Sequence, residues 1–483
     1  MSLSTSQSTT PASADLAGKH VHFVGIGGCG MSGLARMARR HGAVCTGSDM
    51  TPSSTTQALQ EEGIPVTHEQ TEQSLPASCD LVVISAAIRP DHPEVAQARQ
   101  RGVPVLKYAQ MLGRLMQGKT AVAVAGTHGK STTTSMLSHI LIQAGLDPSF
   151  IVGANCRQIG GGSRTGRTGP GSILVAEACE FDRSFHNFHP TCAIILNVEA
   201  DHLDVYKSLE EIVESFAVFA RKLPPAGEGG SLLINHEMPH RLAITAGLDC
   251  QVETIGFAYQ ADWRVGIKGQ NVRLHHKGQA VADWRSPLPG EHMAYNAAAA
   301  AITAHRLGAG WGDIVRAIES FQGLDRRMQR LGERRVEGGA VTVVDDYGHH
   351  PTEVDTTLRA LRQHYQPQRL ICVFQPHQHS RTRFLMQQFA ASFSEADIVI
   401  VPHIYFVRDS EQERHAVTAG DLVDHLRRKG VQAMHLYPFE AIVEQLEVVA
   451  RPGDLIVTMG AGDVWKVAQA FLAKNLAKSP AEK

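Results

Sequence analysis

The sequence predicts an α/β protein made of three consecutive α/β units. Apolar, β-like runs alternate with helical stretches in three successive series, and two of these runs lead into glycine-rich turns that open helices. The chain of 483 residues is also longer than one hydrophobic core usually organises. Such alternation favours parallel sheets covered by helices, with ligands at the carboxyl ends of the strands.

The first unit is predicted to span residues 18–117. A β-like run from His20 to Gly25 precedes a glycine-rich turn and a helical stretch that reaches about Arg40. Two further β-like runs follow at Ala43 to Gly47 and at Leu81 to Ser85. This order is a βαβ pattern, which places the glycine turn at the carboxyl end of the first strand.

The second unit is predicted to span residues 118–328, because the pattern restarts after Gly118. A fully apolar strand from Thr120 to Ala125 is followed by a second glycine turn and by a helix through about Gln143. Two buried strands that lead into acidic and polar residues, and one alanine-rich helix, are predicted at Ile173 to Ala176, Cys192 to Leu196 and Ala294 to Leu307.

The third unit is predicted to span residues 329–483. The composition turns polar and basic near Gly323 to Arg330, which marks the junction. Four β-like runs then alternate with helical stretches, at Val341 to Val344, Leu370 to Phe374, Ile398 to Val401 and Leu455 to Thr458.

Composition limits the classes of partner. The formal net charge is only -2, whereas sequence-independent nucleic-acid binding needs clustered excess lysine and arginine. Residues 1–17 are rich in serine and threonine and read as a disordered tail, not a signal peptide, and no later segment is long enough to span a membrane. The eight cysteines lie far apart without a C-x-x-C pair, which fits reduced thiols. We therefore expect a cytoplasmic monomer or homodimer that binds small molecules, without nucleic-acid or membrane partners.

The first glycine turn, Gly25-Ile26-Gly27-Gly28-Cys29-Gly30, fits the G-x-G-x-x-G pattern between a strand and a helix. Asp49 ends the next strand, where a partner for a ribose hydroxyl would lie. Alone, the turn would indicate NAD binding. Glycine backbone and a helix N-terminus suit any pyrophosphate, however, including that of a nucleotide sugar.

The second glycine turn, Gly126-Thr127-His128-Gly129-Lys130-Ser131, also joins a strand to a helix. In such a loop the main-chain N–H groups cradle phosphates, the lysine reaches the terminal phosphates and the hydroxyl meets Mg²⁺. Val124 stands where the strict Walker spacing wants glycine, so the loop is a shortened relative of that motif. A dehydrogenase has no use for this second loop and a simple kinase has none for the first, so two nucleotide-type ligands are implied.

Acidic, histidine and arginine residues follow several predicted strands. Glu177 and the run Asn197 to His202 are expected near the sheet edge that carries Ser131, and they suit Mg²⁺, which needs few protein ligands beside phosphate oxygens. In the third unit, Asp345 to Pro351 and Phe374 to Arg381 are dense in histidine. Zinc needs three or four convergent ligands, so we favour amino-acid binding there. Two arginines, Arg326 and Arg327, lie at the junction between the second and third units. They suit either binding of a phosphate across an interdomain cleft or a basic linker.

Together these motifs resemble the Mur ligases of peptidoglycan synthesis over essentially the whole chain after about Gly18. The most specific segments are His22 to Gly28, Ala125 to Lys130, Glu199 to His202, Asp345 to Pro351, and Phe374 to His377 with Arg381. The resemblance implies a Rossmann-like N-terminal domain for the UDP part of UDP-N-acetylmuramate, a P-loop-type central domain for ATP and Mg²⁺, and a Rossmann-like C-terminal domain that admits the amino acid.

The resemblance also implies roles for individual residues. The UDP-sugar would contact Gly25, Gly27, Gly28, Gly30, Asp49 and Ser85. ATP would contact Gly126, Thr127, His128, Gly129, Lys130, Ser131, Thr132, His292, Asn296, Arg327 and Asp346. The amino acid would contact Tyr347, His349, His377 and Arg381, Ser131 and Glu177 would hold one Mg²⁺, and His202 would hold a second. The residues expected to act in catalysis are Lys130, His202, Arg327 and His349.

Within the family, Ala217 stands where ligases that add later amino acids carry a modified lysine, which favours the alanine-adding branch. The implied reaction joins the lactyl carboxylate of UDP-N-acetylmuramate to L-alanine through an acyl phosphate, with ADP and phosphate as products. Ser131 replaces the usual threonine, and Cys179 and Met293 depart from the family pattern. The alternatives are a recycling ligase that attaches a tripeptide and, from another class, an NAD-dependent oxidoreductase.

Overall fold

The computed structural model describes residues 16–160, 166–167, 173–202, 205–407 and 409–474, and it confirms three α/β units, each with its own sheet. The predicted tail, residues 1–17, falls almost wholly outside the described residues. Among the described residues, no helix is both long enough and apolar enough to cross a membrane.

The N-terminal unit is a five-stranded parallel sheet. Its elements are β1 (His20–Val24), α1 (Cys29–Arg40), β2 (Val44–Ser48), α2 (Ser54–Glu61), β3 (Val66–Thr67), a 3-10 helix (Glu72–Ser74), β4 (Leu81–Ile84), α3 (Pro93–Gln100), β5 (Val105–Lys107) and α4 (Tyr108–Met116). The strand order is β3-β2-β1-β4-β5. The order reverses at β1, so the turn after β1 lies at the switch point where open α/β sheets bind ligands.

The middle unit carries a ten-stranded sheet. Its elements are β6 (Thr120–Ala125), α5 (Lys130–Gln143), β7 (Ser149–Ile151), α6 (Arg157–Gly160), β8 (Gly166–Arg167), β9 (Ile173–Ala178), a 3-10 helix (Phe181–Asn187), β10 (Cys192–Ile195), α7 (Leu209–Ala220), a 3-10 helix (Ala226–Glu228), β11 (Ser231–Asn235), α8 (Arg241–Thr245), β12 (Gln251–Gly256), β13 (Trp263–Lys268), β14 (Asn271–His276), β15 (Gln279–Arg285), α9 (Glu291–Arg306) and α10 (Trp311–Glu319). The order is β15-β14-β13-β12-β11-β10-β6-β9-β7-β8. The β13–β15 segment is antiparallel, and the strands from β12 to β9 are parallel.

The C-terminal unit is a six-stranded sheet. Its elements are β16 (Gln329–Val336), β17 (Gly339–Asp346), α11 (Pro351–Tyr365), β18 (Leu370–Phe374), α12 (His379–Phe384), α13 (Met386–Ala391), β19 (Ile398–Val401), α14 (Glu411–Arg414), α15 (Ala419–Arg428), β20 (Gln432–His435), α16 (Phe439–Val449), β21 (Leu455–Met459) and α17 (Trp465–Ala473). The order is β16-β17-β21-β18-β19-β20, with β16 antiparallel at the edge and the other strands parallel.

Two predicted strands end later than the sequence indicated. Glu177 lies inside β9, paired with Val124, rather than after the strand. Asp345 and Asp346 likewise are the last two residues of β17. In both places the ladder continues past the apolar run, because the polar side chains find partners at the sheet edge.

The packing of helices fixes the position of the second glycine turn. Helix α9 is almost entirely buried, and its row of alanines, Ala297 to Ala301, lets it lie close against α5. Apolar side chains of α4 share one buried cluster with Phe185 and Phe188 of the middle unit. The N-terminal and middle units are therefore joined by a continuous core.

Candidate active site

The first glycine turn brings together the ends of β1, β2 and β4. Gly25 has a φ of 78°, and a side chain there would meet the Ser85 hydroxyl at 3.0 Å. The Gly27 N–H donates to Oδ2 of Asp49 at 2.9 Å, so this carboxylate supports the loop. A Cβ at Gly30 would lie 2.9 Å from the Tyr108 ring. The turn thus needs glycine at each of these points, and Gly28 caps α1 with extended backbone.

The second glycine turn is held by the end of β10. The main-chain N–H of His128 donates to Oδ1 of Asn197 at 2.7 Å, and Nδ2 of Asn197 returns a bond to the His128 carbonyl at 3.1 Å. The Thr127 hydroxyl accepts from the Glu199 N–H at 2.9 Å. Gly129 has a φ of 84°, and a Cβ there would lie 2.8 Å from Oδ1 of Asn296. The loop is therefore preorganised before any phosphate binds.

Lys130 folds back over this loop. Its Nζ donates to the carbonyls of Gly126 at 2.5 Å and Thr127 at 3.1 Å, and it lies 3.0 Å from Oε2 of Glu180. The side chains of Lys130 and Glu180 are only 15% and 3% exposed. Burial opposes the lysine charge, but the Glu180 carboxylate outweighs it and raises the pKa of Lys130. Lys130 therefore stays positively charged and close to the second glycine turn.

Ser131 and Glu177 carry two of the oxygen atoms that are predicted to bind Mg²⁺. The Glu177 carboxylate accepts the Gly153 N–H at 2.6 Å. Burial raises the pKa of Glu177, and the Gly153 N–H and the nearby Ser131 hydroxyl oppose that effect. The next residue of α5, Thr132, is buried. The oxygen donor set fits a hard cation such as Mg²⁺.

His202 lies apart from that pair. It has a φ of 53°, its Nε2 is 3.7 Å from Oδ2 of Asp201, and its ring packs edge-on against Phe181. Its Nδ1 is buried and has no hydrogen-bond partner among the described residues. This unpartnered nitrogen fits a role as ligand, but it does not share a contact with Ser131 or Glu177.

His292 opens α9 beside the phosphate loop. Burial lowers the pKa of His292 to about 4, so its ring is neutral at physiological pH. Its Nδ1 lacks a hydrogen-bond partner among the described residues, while Asn296 one turn later lies against Gly129. His292 and Asn296, both predicted to contact ATP, thus lie on the first two turns of one helix.

The junction between the middle and C-terminal units carries Arg327 and Asp346. Nη1 of Arg327 is 3.7 Å from Oε1 of Glu353, and its guanidinium lies 5.1 Å from the Tyr347 ring centroid. Asp346 accepts the N–H groups of Met328 and Gly348, at 2.8 and 2.7 Å. Burial raises the pKa of Asp346 to about 6. Both Asp346 oxygens are therefore occupied by the main chain of the junction.

The predicted amino-acid residues form one aromatic and cationic cluster. The His349 ring lies 5.5 Å from that of Tyr347 and 5.6 Å from that of His377. Arg381 donates to Nδ1 of His377 at 3.1 Å and to Oδ1 of Asp201 at 2.7 Å. Burial opposes ionisation of Asp201, but Arg381 outweighs it and holds the pKa of that carboxyl well below its ordinary value.

Three carboxylates in this region form contacts that the sequence did not predict. Glu180 pairs with Lys130, Asp201 pairs with Arg381, and Glu353 accepts from His128 at 3.2 Å and from the His349 N–H at 2.8 Å. Glu353 sits three residues after the cap His350, so its sequence position predicts a capping box. No local pattern predicts that the same carboxylate also meets the phosphate loop.

Known protein families and relatives match this chain over most of its length. Family models match residues 20–120 as the Mur ligase family catalytic domain, residues 124–304 as the Mur ligase middle domain and residues 326–462 as the Mur ligase glutamate ligase domain. The UDP-N-acetylmuramate--L-alanine ligase of Acetivibrio thermocellus is 39% identical over 466 residues, covering 94% of this chain and 96% of that protein. The chain belongs to the Mur ligase family.

Further relatives agree with that assignment. The UDP-N-acetylmuramate--L-alanine ligase of Caldanaerobacter subterraneus is 38% identical to this Mur ligase over 464 residues, covering 95% of this chain and 98% of that one. The crystal structure of UDP-N-acetylmuramate-alanine ligase from Thermotoga maritima matches with a TM-score of 0.77 at 24% identity, over 95% of this chain and 100% of that chain. This last likeness concerns the fold. The predicted resemblance to Mur ligases is thereby confirmed.

Proposed function

We propose that this chain is an ATP-dependent ligase that forms an amide between the lactyl carboxylate of UDP-N-acetylmuramate and L-alanine. One observation carries the proposal: Glu353 accepts both from His128 of the phosphate loop and from the N–H of His349 in the predicted amino-acid cluster. The loop predicted to bind ATP and the cluster predicted to bind the amino acid thus contact the same carboxylate. The names of the two relatives at 38–39% identity support the same reaction.

In the first step a lactyl carboxylate oxygen attacks the γ-phosphorus of ATP, and the bond to the bridging oxygen of ADP breaks. The transferring group carries negative charge on its oxygens, so catalysis depends on positive charge and positioning. Lys130 and Arg327 would supply that charge. Ser131 and Glu177 would hold one Mg²⁺ and His202 a second, and these ions would supply positive charge to neutralise the phosphate oxygens.

In the second step the neutral amine of L-alanine attacks the acyl carbon, and phosphate leaves as the amide forms. The attacking nitrogen must lose a proton. His349 is suited to accept it, because its Nδ1–H faces the Tyr347 carbonyl at 3.2 Å and a neutral ring then keeps its lone pair on Nε2. Burial lowers the pKa of His349 to about 4, which keeps the ring neutral. His202 is the second acceptor that the sequence predicts.

In the proposed reaction each of the three units binds one substrate. Residues 18–117 would bind the UDP-sugar, residues 118–328 ATP, and residues 329–483 L-alanine. The proposal retains the predicted cytoplasmic location and a monomer or homodimer. Membership of the Mur ligase family sets the oxidoreductase alternative aside.

Phosphate release from ATP tests the proposal. We expect release to require both UDP-N-acetylmuramate and L-alanine, and to fall at least about 100-fold in Lys130→Met, which removes a charge that stabilises the transition state. Lys429→Met is the matched control, because Lys429 is exposed at the end of α15. Release that ignores either co-substrate, or that survives loss of Lys130, contradicts the proposal. Faster turnover with a tripeptide than with L-alanine would instead identify the recycling ligase.

A further inference from the structure

Two histidines and a glutamate from three separate loops converge beside the phosphate loop. They are His128, Glu199, which follows β10, and His350, which caps α11. Their nearest ligand atoms all lie within 4.8 Å of one another. Oε2 of Glu199 is 3.6 Å from Nε2 of His128 and 3.8 Å from Nδ1 of His350. Ligand atoms around a tetrahedral zinc ion with bonds of about 2.0–2.1 Å are separated by about 3.3 Å, so the widest pair must close by at most about 1.5 Å to reach that spacing.

Both histidines donate their outward ring N–H to an oxygen acceptor, and their inward nitrogens face Glu199. Nδ1 of His128 faces Oε1 of Glu353 at 3.2 Å, and Nε2 of His350 faces the Ala200 carbonyl at 3.3 Å. Carboxylate and carbonyl oxygens only accept, so these outward nitrogens carry the hydrogens. Metal-binding histidines are oriented in this way, with the second ring N–H donated to a carboxylate or carbonyl.

The inward nitrogens are poorly satisfied by the protein. Nε2 of His128 is buried, and among the described residues it makes no hydrogen bond, only the 3.6 Å ion-pair contact with Glu199. Nδ1 of His350 receives only a long bond, from the N–H of Thr352 at 3.3 Å. A buried nitrogen without a partner loses free energy relative to one that is bonded, and a metal ion would supply that partner.

We propose that His128, Glu199 and His350 bind one divalent transition-metal ion of the zinc class, with water as the fourth ligand. Binding replaces any proton on Nε2 of His128, which is released to solvent. The charges of Glu199 and Glu353 balance the ion. Two imidazoles favour zinc or cobalt over Mg²⁺, and these ligands differ from the proposed Mg²⁺ set of Ser131, Glu177 and His202.

The position of the site gives the ion a defined effect. His128 and Glu199 belong to the middle unit and His350 to the C-terminal unit, so the ion would link the two. It would also restrain the loop that must receive ATP. Zinc is therefore expected to hold the two units together and to slow turnover.

Calorimetric titration of zinc chloride into the full-length, nucleotide-free protein tests the proposal. We expect one site that is weakened at least about tenfold in Glu199→Gln, since even loss of an outer-shell partner costs about 10–100-fold in affinity. Glu214→Gln is the matched control, because Glu214 lies on the exposed face of α7. Glu199 is 35% exposed, so its replacement should leave the fold intact.

A second variant, the thermal midpoint with added zinc, and cobalt absorption test the same site. His350→Gln should weaken the same site, and added zinc should raise the thermal midpoint of the wild-type protein more than that of either variant. Cobalt in place of zinc should give the visible absorption of a low-coordinate nitrogen and oxygen site. Equal zinc affinity in the wild type, Glu199→Gln and His350→Gln overturns the proposal, as does a wild-type protein that takes up no zinc. None of these readouts requires ligase activity, so they are independent of the proposed function.

Discussion

The proposed role of Lys130 requires it to exchange its present partners for a nucleotide phosphate. Its Nζ is now shared between two loop carbonyls and Glu180, which is almost fully buried. Removing the lysine alone leaves a buried carboxylate without a counter-charge, which typically costs about 3–5 kcal/mol. We therefore expect Lys130→Met to lower the thermal midpoint as well as activity.

The double variant Lys130→Met/Glu180→Gln separates these two effects. Neutralising both partners should restore most of the thermal midpoint, while ATP-dependent phosphate release stays at least about 100-fold below wild type. A double variant that regains activity together with stability would show that Lys130 matters only as the partner of Glu180.

His292 gives a prediction for pH. Burial lowers its folded-state pKa to about 4, below the ordinary value of 6.5, so the unfolded chain binds the proton more readily. The stability that this neutral histidine permits is fully present above pH 6.5 and is lost as the pH falls toward 4, by up to about 3 kcal/mol. The wild-type thermal midpoint should therefore fall more steeply than that of His292→Asn between pH 6.5 and 4. Parallel curves would contradict a buried, neutral His292.

At the level of elements, helix α5 has a glycine with positive φ at each end. Gly129 has a φ of 84° and no room beside Asn296, whereas Gly145 has a φ of 75° and nothing within 4 Å of an added Cβ. Alanine at either position costs about 1–2 kcal/mol in backbone strain. Only Gly129→Ala also distorts the phosphate loop, so we expect its kcat/KM for ATP to fall at least about tenfold. Gly145→Ala should keep wild-type kinetics, and a similar loss in both variants would mean that strain alone is responsible.

The sequence predicts elements well where local chemistry decides them. Strands β6 and β18 are fully apolar, and the structure gives them the predicted bounds. The antiparallel strands β13–β15 were not predicted. Their signal is a period-two alternation, in which the buried Trp263 and Val265 alternate with the half-buried Arg264 and Gly266. Polar, charged residues dilute the hydrophobicity of these strands, so the segment does not stand out beside the buried parallel strands.

The site is less predictable because its contacts are non-local. The glycine turns could be read from spacing, since each is one continuous loop. Glu353 and His128 are separated by 225 residues, and Asp201 and Arg381 by 180. Such pairs depend on how two separate sheets are placed, which no local periodicity specifies.

At the scale of the whole molecule, buried charges join the middle and C-terminal units. Arg381 donates through both Nε and Nη2 to Oδ1 of Asp201, and the side chains are only 5% and 9% exposed. Nearby, the Thr352 hydroxyl donates to Glu199 at 2.6 Å. In the proposed reaction, three ligands on separate units react only when the cleft between the units is shut, and we propose that these contacts help to close it.

Asp201→Asn should open that arrangement. The variant leaves Arg381 buried without its counter-charge, which weakens the contact between the units by about 3–5 kcal/mol. Arg381 then no longer has a fixed position in the predicted L-alanine site. We expect a larger radius of gyration in small-angle scattering and a KM for L-alanine that rises at least about tenfold. Asp283→Asn is the control, since Asp283 pairs with Arg273 on the surface of the middle unit alone. A variant with wild-type scattering and wild-type KM would mean that the Asp201–Arg381 pair neither holds the units together nor positions the arginine.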